Sequence, residues 1–239
     1  MKNKMTDTTN PSLNVYSKEN SIKWSSNGGC DDTARPWVVN QVRELAKQGK
    51  RTLLDIGCGT GRWTKQFASC LDNVVGLDIT PEMIQIAQET NPANNLTYIE
   101  GNILTRDLGK FDIATALAML QHTKTREELA QVYSKIKDSL NPNGHFLFYA
   151  PHPMNIYGIN TSVNSSEFDR TSSYGDNFPF VAHIAMKDGT TRTGSGYHHS
   201  IQEYLGELAR VGFRINKIEE LISKGDKTPS ALVVDAIKD

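Results

Sequence analysis

The sequence predicts an α/β fold: a seven-stranded, mostly parallel sheet with helices on both faces. Three observations carry this. From Arg51 onward, short apolar runs alternate with amphipathic runs over about 100 residues, the rhythm of βαβ units. A glycine-rich turn follows the first apolar run directly. The chain has 239 residues, 38% of them hydrophobic, and a net charge of -1, which suits one domain with a real core.

Residues 1 to 33 are rich in Asn, Ser, Thr and Gly and read as a flexible segment. Within it, Tyr16 and Trp24 are candidates for a partial lid. From Thr33, "TARPWVVNQVRELAKQGK" reads as a helix. Thr33 caps it, Pro36 suits an early position, Trp37, Val38, Val42 and Leu45 share a face, and Gly49 ends it. "RTLLDI" is a buried strand, and "GRWTKQFASCL" a helix with Trp63 and Phe67 on one side. "NVVGLDI" is the second strand. "TPEMIQIAQET" is a helix capped by Thr80, with Pro81 at its first position and Met83, Ile84 and Ala87 inward. "NLTYIEGNI" and "KFDIATALAML" are strands three and four, and "TREELAQVYSKIKDSL" is an amphipathic helix. "NPNG" is a turn before strand five, "HFLFYA". The rhythm then breaks. Residues 151 to 197 read as an insertion over the top of the sheet, with a hairpin turning at Asp188-Gly189. "SIQEYLGELARVGF" restores a helix with Ile201, Leu205 and Leu208 buried, and "RINKIEELI" and "SALVVDAI" close the sheet.

The chemistry concentrates in "LLDIGCGTGRW". Gly57, Gly59 and Gly61 follow a strand, where the chain bends sharply and meets a ligand with bare backbone. The spacing is G-x-G-x-G, and Arg62 stands where a dinucleotide fingerprint has its third glycine. Asp55 precedes the loop; a carboxylate there repels pyrophosphate and suits an ammonium group. Asp78 ends the second strand, placed for both hydroxyls of a ribose. After strand three, Asn102 and the Ile103 backbone are placed to edge an adenine. Ammonium, ribose and adenine in that order describe S-adenosylmethionine.

The run resembles the class I S-adenosylmethionine-dependent methyltransferases. "LLDIGCGTGRW" is similar to their first motif, "VVGLDIT" to the second and "YIEGNI" to the third; "FDIATALAMLQHT" and "LNPNGHFLF" look like the strand-four and strand-five signatures. The resemblance covers residues 34 to 150 and implies a Rossmann-like sheet whose last strand is antiparallel, in a methyltransferase domain spanning 34–239. It implies that Asp55 and the glycine loop hold the methionine moiety and Asp78 the ribose. Ile79 and Ile103 would meet the adenine, and Ala118 to Gln121 line the site near the methyl group. The family commonly has Asp where Asn102 stands; the Asn carbonyl accepts the same hydrogen bond without charge. The tail "GYHHSIQEYLGELARVGFRI" is similar to a bacterial small-molecule subgroup.

Methyl transfer needs a base only where the nucleophile arrives protonated. Histidine is the natural candidate near neutral pH. Of six histidines, His122, His152 and the pair His198 and His199 fall where a pocket belongs, beside Gln121 and Tyr157. The alternatives open at this point are a nicotinamide-dependent oxidoreductase, against which the glycine spacing argues, and a non-catalytic S-adenosylmethionine-binding protein. The acceptor expected is a small molecule, and the aromatic residues of the insertion suit an apolar or aromatic one. No basic excess or base-methylating motif points to nucleic acid, and no acid cluster to a metal. No apolar run approaches the roughly 20 residues of a membrane span. Cys30, Cys58 and Cys70 lack disulfide or zinc spacing, and the polar start lacks a leader, so the expected compartment is the cytoplasm.

Overall fold

The structure is a computed structural model, and it describes residues 31–157, 163–185 and 189–239. Tyr16, Trp24, Cys30 and Asp188 lie outside the described residues. The chain runs α1 (Asp31–Lys47), β1 (Thr52–Ile56), α2 (Thr64–Ala68), β2 (Asn73–Asp78), α3 (Pro81–Thr90), β3 (Leu96–Glu100) and β4 (Phe111–Leu117). A 3₁₀ turn (Leu120–His122) leads to α4 (Arg126–Asp138) and β5 (Leu140–Pro151), and a second (Pro153–Tyr157) to β6 (Val163–Glu167). β7 (Pro179–Ala185), β8 (Thr191–Tyr197), α5 (Ile201–Arg210), β9 (Phe213–Leu221) and β10 (Ala231–Lys238) complete it.

The main sheet has seven strands in the order β3-β2-β1-β4-β5-β10-β9. The first five pair in parallel; β10 is antiparallel to both β5 and β9. Strand alternation sorts side chains to two cores. Leu54, Ile56, Phe146, Phe148 and Leu232 join residues of α4 and α5 on one face. Leu53, Ile113, Leu147, Tyr149 and Val233 meet α1 and α2 on the other. The chain steps outward from β1 to β3 and then returns to β4 on the far side of β1. That reversal opens a crevice at the carboxyl end of β1, running between β1 and β2 on one side and toward β4 on the other, the usual ligand position in such sheets.

Four details differ from the sequence reading. Helix α1 starts at Asp31, so Thr33 lies inside it and donates its hydroxyl hydrogen to Ser223 Oγ at 3.2 Å instead of capping. Helix α2 is only five residues long, because the glycine loop holds Gly61 to Trp63 out of helical register. "NPNG" sits within β5: Asn143 takes φ +57°, and the pairing skips from Phe111–Leu140 to Ile113–His145. Asn141 Nδ2 donates across this bulge to Asp112 Oδ1 at 2.9 Å. The expected hairpin is β7–β8, with Gly189 at φ +82°, and β6 extends it to a separate three-stranded antiparallel sheet.

Candidate functional site

The glycine loop is tied to the end of β2. The N–H groups of Gly57 and Cys58 donate to Leu77 O at 2.8 and 3.0 Å, and that of Gly59 to Asp78 Oδ2 at 2.8 Å. All three glycines take left-handed backbone, φ +70°, +54° and +73°. Their surroundings differ. A Cβ on Gly57 would stand 2.6 Å from Met119 Cγ, and one on Gly61 would fall on the Tyr98 hydroxyl. A Cβ on Gly59 would meet nothing within 4 Å. Gly57 and Gly61 are therefore small for packing, and Gly59 is the one that leaves the crevice open.

Asp55 lies beneath this loop, 2% exposed. Its Oδ1 accepts from the Thr115 hydroxyl and its Oδ2 from the Thr64 hydroxyl, both at 2.7 Å. Burial pushes its pKa up to about 6, against those two hydrogen bonds and the nearby Arg35. Both oxygens accept from threonines and the carboxylate is buried, so what it offers a ligand above the loop is mainly its charge. Thr115 pairs with Asp55 across β1–β4; sequence reasoning missed it, although the lone hydroxyl in the buried strand "FDIATAL" is the signal for it. Arg35 of α1, which sequence reasoning passed over, places its guanidinium carbon 5.3 Å from the Tyr149 ring centre and 5.6 Å from that of Trp63.

Asp78 ends β2 half-buried. Its Oδ1 accepts from Thr80 N at 2.9 Å and its Oδ2 from Gly59 N at 2.8 Å, and the Thr80 hydroxyl and Ile79 N–H add to them. Burial raises its pKa despite these bonds. Ile79, next along, is 55% exposed, an unusual cost for a large aliphatic group unless a flat apolar partner covers it. Ile103 is instead buried in the main core, so only its backbone is available. Asn102 Oδ1 accepts from Leu104 N at 2.9 Å, a local turn that already uses one of the oxygen's lone pairs.

At the end of β4, Ala118 takes φ +56°, a strained conformation for a residue with a Cβ. Its carbonyl accepts from Gln121 Nε2 at 2.6 Å, and its N–H donates to Tyr149 O at 3.0 Å.

The histidines serve mainly to fasten loops. His199 donates from Nε2 to Thr123 O at 2.9 Å and accepts at Nδ1 from Asn177 Nδ2 at 3.1 Å, which joins the β4 turn to the start of α5. His152 pairs through Nε2 with Glu220 Oε1 at 2.7 Å, and its Nδ1 accepts from Met154 N at 3.3 Å. Both rings are nearly fully buried with both nitrogens engaged, so the expectation that either faces an acceptor is corrected. His198 donates from Nε2 to Tyr174 O at 2.9 Å, and burial lowers its pKa. Burial pushes His122 down to about 4. The aromatic residues of the insertion largely face one another. Phe178 stacks on His198 at 4.8 Å and on Phe168 at 5.3 Å, and Tyr157 meets Phe168 edge-on at 5.3 Å. They cluster beside the strand ends of the second sheet, which leaves less free aromatic lining than the sequence suggested.

An S-adenosyl group fits the crevice: the open backbone at Gly59, the accepting oxygens of Asp78 and the bare Ile79 match its chain, ribose and base. Among the described residues no group of three His, Cys, Asp or Glu is placed to hold a metal, and no helix is long and apolar enough to cross a membrane.

Residues 53–144 match a family described as "Methyltransferase domain". The mitochondrial ubiquinone biosynthesis O-methyltransferase of Saccharomyces cerevisiae is 32% identical over 128 residues, 50% of this chain and 39% of that protein. The chain spans half or less of the length of the first curated relatives it matches. Solved structures share the fold more widely. An S-adenosylmethionine-dependent methyltransferase of Clostridium acetobutylicum superposes with TM-score 0.63 at 14% identity, covering 94% of this chain and 96% of that one. CalS10 of Micromonospora echinaspora, an amino pentose methyltransferase, gives 0.61 at 19%, covering 92% and 96%. The matched stretch runs from β1 into β5, through the glycine loop and Asp78, so this part of the chain is a methyltransferase domain.

Proposed function

We propose that this protein transfers the methyl group of S-adenosylmethionine to an oxygen or nitrogen atom of a small molecule. The observation that carries the reading is the crevice between β1 and β2, where Gly59 is open, Asp78 offers accepting oxygens and Ile79 lies exposed. The name of the yeast relative places its chemistry at oxygen and that of CalS10 at an amino sugar. Both are small-molecule acceptors, which supports the same class here.

Bound S-adenosylmethionine supplies a methyl group already activated on a sulfonium. The protein then has to hold it, aim the acceptor and keep water away. Asp78 takes the ribose hydroxyls, and Ile79 covers one face of the adenine. The buried Asp55 charge favours the ammonium end, and Arg35 stands beside it for the carboxylate. Ala118 to Gln121 line the transfer site. The second sheet, seated on the turn that holds Gln121, covers it. Alignment of this kind can contribute about 7–11 kcal/mol to lowering the barrier, against about 10²–10⁴-fold for a general base. With His152 and His199 committed to loops, alignment is the larger contribution.

The test is transfer of radiolabelled methyl groups from S-adenosylmethionine to a panel of small amines, phenols and carboxylic acids. The reading expects label in at least one acceptor, with transfer by Asp78→Ala reduced about tenfold or more (roughly 1.4 kcal/mol of lost binding). Binding of S-adenosylmethionine with no label in any acceptor across the panel would favour a binding protein instead.

A further inference from the structure

Gln121 carries an unused polar atom in the turn that follows β4. Its Nε2 donates to Ala118 O, and only the nitrogen end of an amide can face a carbonyl, so the side chain has one orientation. Its Oε1 therefore points away from Ala118; it is buried and has no hydrogen-bond partner. The covering sheet closes over the same residue. A Cβ on Gly196 of β8 would stand 2.8 Å from Gln121 O and 3.0 Å from Gln121 Cγ. Strand pairing sets Phe180 opposite Gly196 on the face presented to Gln121, with Ser166, Ala182 and Gly194 beside them. The last three are small residues, and Ser166 Oγ is also buried without a partner. An accepting oxygen held in one orientation and left without a partner is a receptor for an N–H or O–H group.

We propose that Gln121 Oε1 receives an N–H of the methyl acceptor, and that the acceptor is a neutral amine. This rests on the methyl-transfer reading above. A carboxylate acceptor has no hydrogen to give and would set its charge against the glutamine oxygen. A hydroxyl can give a hydrogen, but on methylation it must lose that proton to a base, and an amide oxygen is too weak a base to take it. His152 and His199 have both nitrogens engaged, His198 has Nε2 committed to Tyr174 O, and burial holds His122 neutral and weakly basic.

An amine needs no base at this step. Its lone pair forms the N–C bond as the C–S bond breaks and the sulfur keeps the electron pair. The nitrogen becomes positively charged, and its proton goes to water after release. As that charge develops, the hydrogen bond from N–H to Gln121 Oε1 strengthens, so the contact favours the transition state over the ground state. Gln121 is thus a substrate-contacting residue that selects the acceptor.

The experiment gives wild type, Gln121→Met and Gln121→Glu an equimolar mixture of glucosamine, tyramine, catechol and 4-hydroxybenzoate with methyl-labelled S-adenosylmethionine. Tyramine offers an amine and a phenol on one molecule, and mass spectrometry locates the label. The expected result is label on nitrogen, with kcat reduced about 10²-fold in Gln121→Met. Gln121→Glu, which keeps an accepting oxygen, should retain most of the rate. Both variants lose the bond to Ala118 O, so a purely structural role would lower them equally, and that result would overturn the proposal. Label on the phenol, catechol or carboxylate would overturn it as well. Binding of S-adenosylhomocysteine by wild type, measured in parallel, reports on the methyl-transfer reading alone: its loss would sink that reading first.

Discussion

Gly59 and Gly61 are two residues apart in one loop, share a left-handed backbone and face opposite surroundings. Alanine at Gly59 meets no atom, so it costs only the left-handed strain, about 1–2 kcal/mol of stability. It places a methyl group in the crevice, however, and should weaken S-adenosylhomocysteine binding at least about tenfold (roughly 1.4 kcal/mol). Alanine at Gly61 collides with Tyr98 and should cost a further ~1–3 kcal/mol of stability. Thermal melts with calorimetry separate the two; equal stability losses would mean that Gly59 is packed and does not line a ligand. Asp55 supplies a pH signature. Burial raises its folded pKa to about 6, above the unfolded value. The protonated form is therefore the one the fold favours: this stabilisation is complete below about pH 4 and is lost as pH rises through about 6. Ammonium binding prefers the ionised form, so ligand affinity should run the other way and fall as pH drops through about 6. Calorimetry with S-adenosylhomocysteine between about pH 7.5 and pH 5 should show that fall in wild type and a flat profile in Asp55→Asn. The residue-level reading found Asp55, Asp78 and the glycines because strand-end acids and glycine spacing are local patterns. It missed Thr64, Thr115 and Arg35, which meet Asp55 only once three separate elements have packed.

Helices α4 and α5 show how elements are joined. Thr125 caps α4 by accepting from Glu128 N, and Ser200 forms a capping box with Glu203 at the start of α5. Both starts were legible, since a Ser or Thr followed three residues later by Glu is a local signal. What clamps the helices together was not. Glu207 of α5 is buried, and it accepts from Arg126 of α4 and from Arg210, whose side chains are 57% and 60% exposed. Burial alone would raise its pKa, but the two guanidinium partners hold it below the usual range. The cost of breaking this clamp depends on which side is removed. Glu207→Gln leaves two cations that water already solvates and should cost about 1 kcal/mol. Removing both arginines strands a buried carboxylate and should cost about 3 kcal/mol or more. Urea denaturation of the two variants checks the order; a larger loss from Glu207→Gln would contradict it. Boundaries were less legible than helix identity. The early start of α1 and the bulge inside β5 follow from tertiary bonds, Thr33 to Ser223 and Asn141 to Asp112, that no local pattern announces.

At the scale of the whole molecule, the mostly parallel sheet was legible because strands and helices alternate, while the order of strands, with the return of the chain at β4, emerged only from the structure. The antiparallel β10 was expected through the family resemblance. The segment between β5 and α5 was harder to read. Its aromatic residues suggested an open acceptor pocket, and the structure packs most of them against His198 and one another. Aromatic content marks buried area but not which surface is buried. Small residues mark the site side of this sheet better: Gly196 lies against Gln121, a contact visible only after folding. The account as a whole rests on the crevice between β1 and β2 taking an S-adenosyl group. The most direct measurement is a calorimetric titration of S-adenosylhomocysteine into wild type and Asp78→Ala. The account predicts one-site binding to wild type, weakened about tenfold or more (roughly 1.4 kcal/mol) in the variant. Absence of binding to wild type, or equal affinity in both proteins, would contradict it.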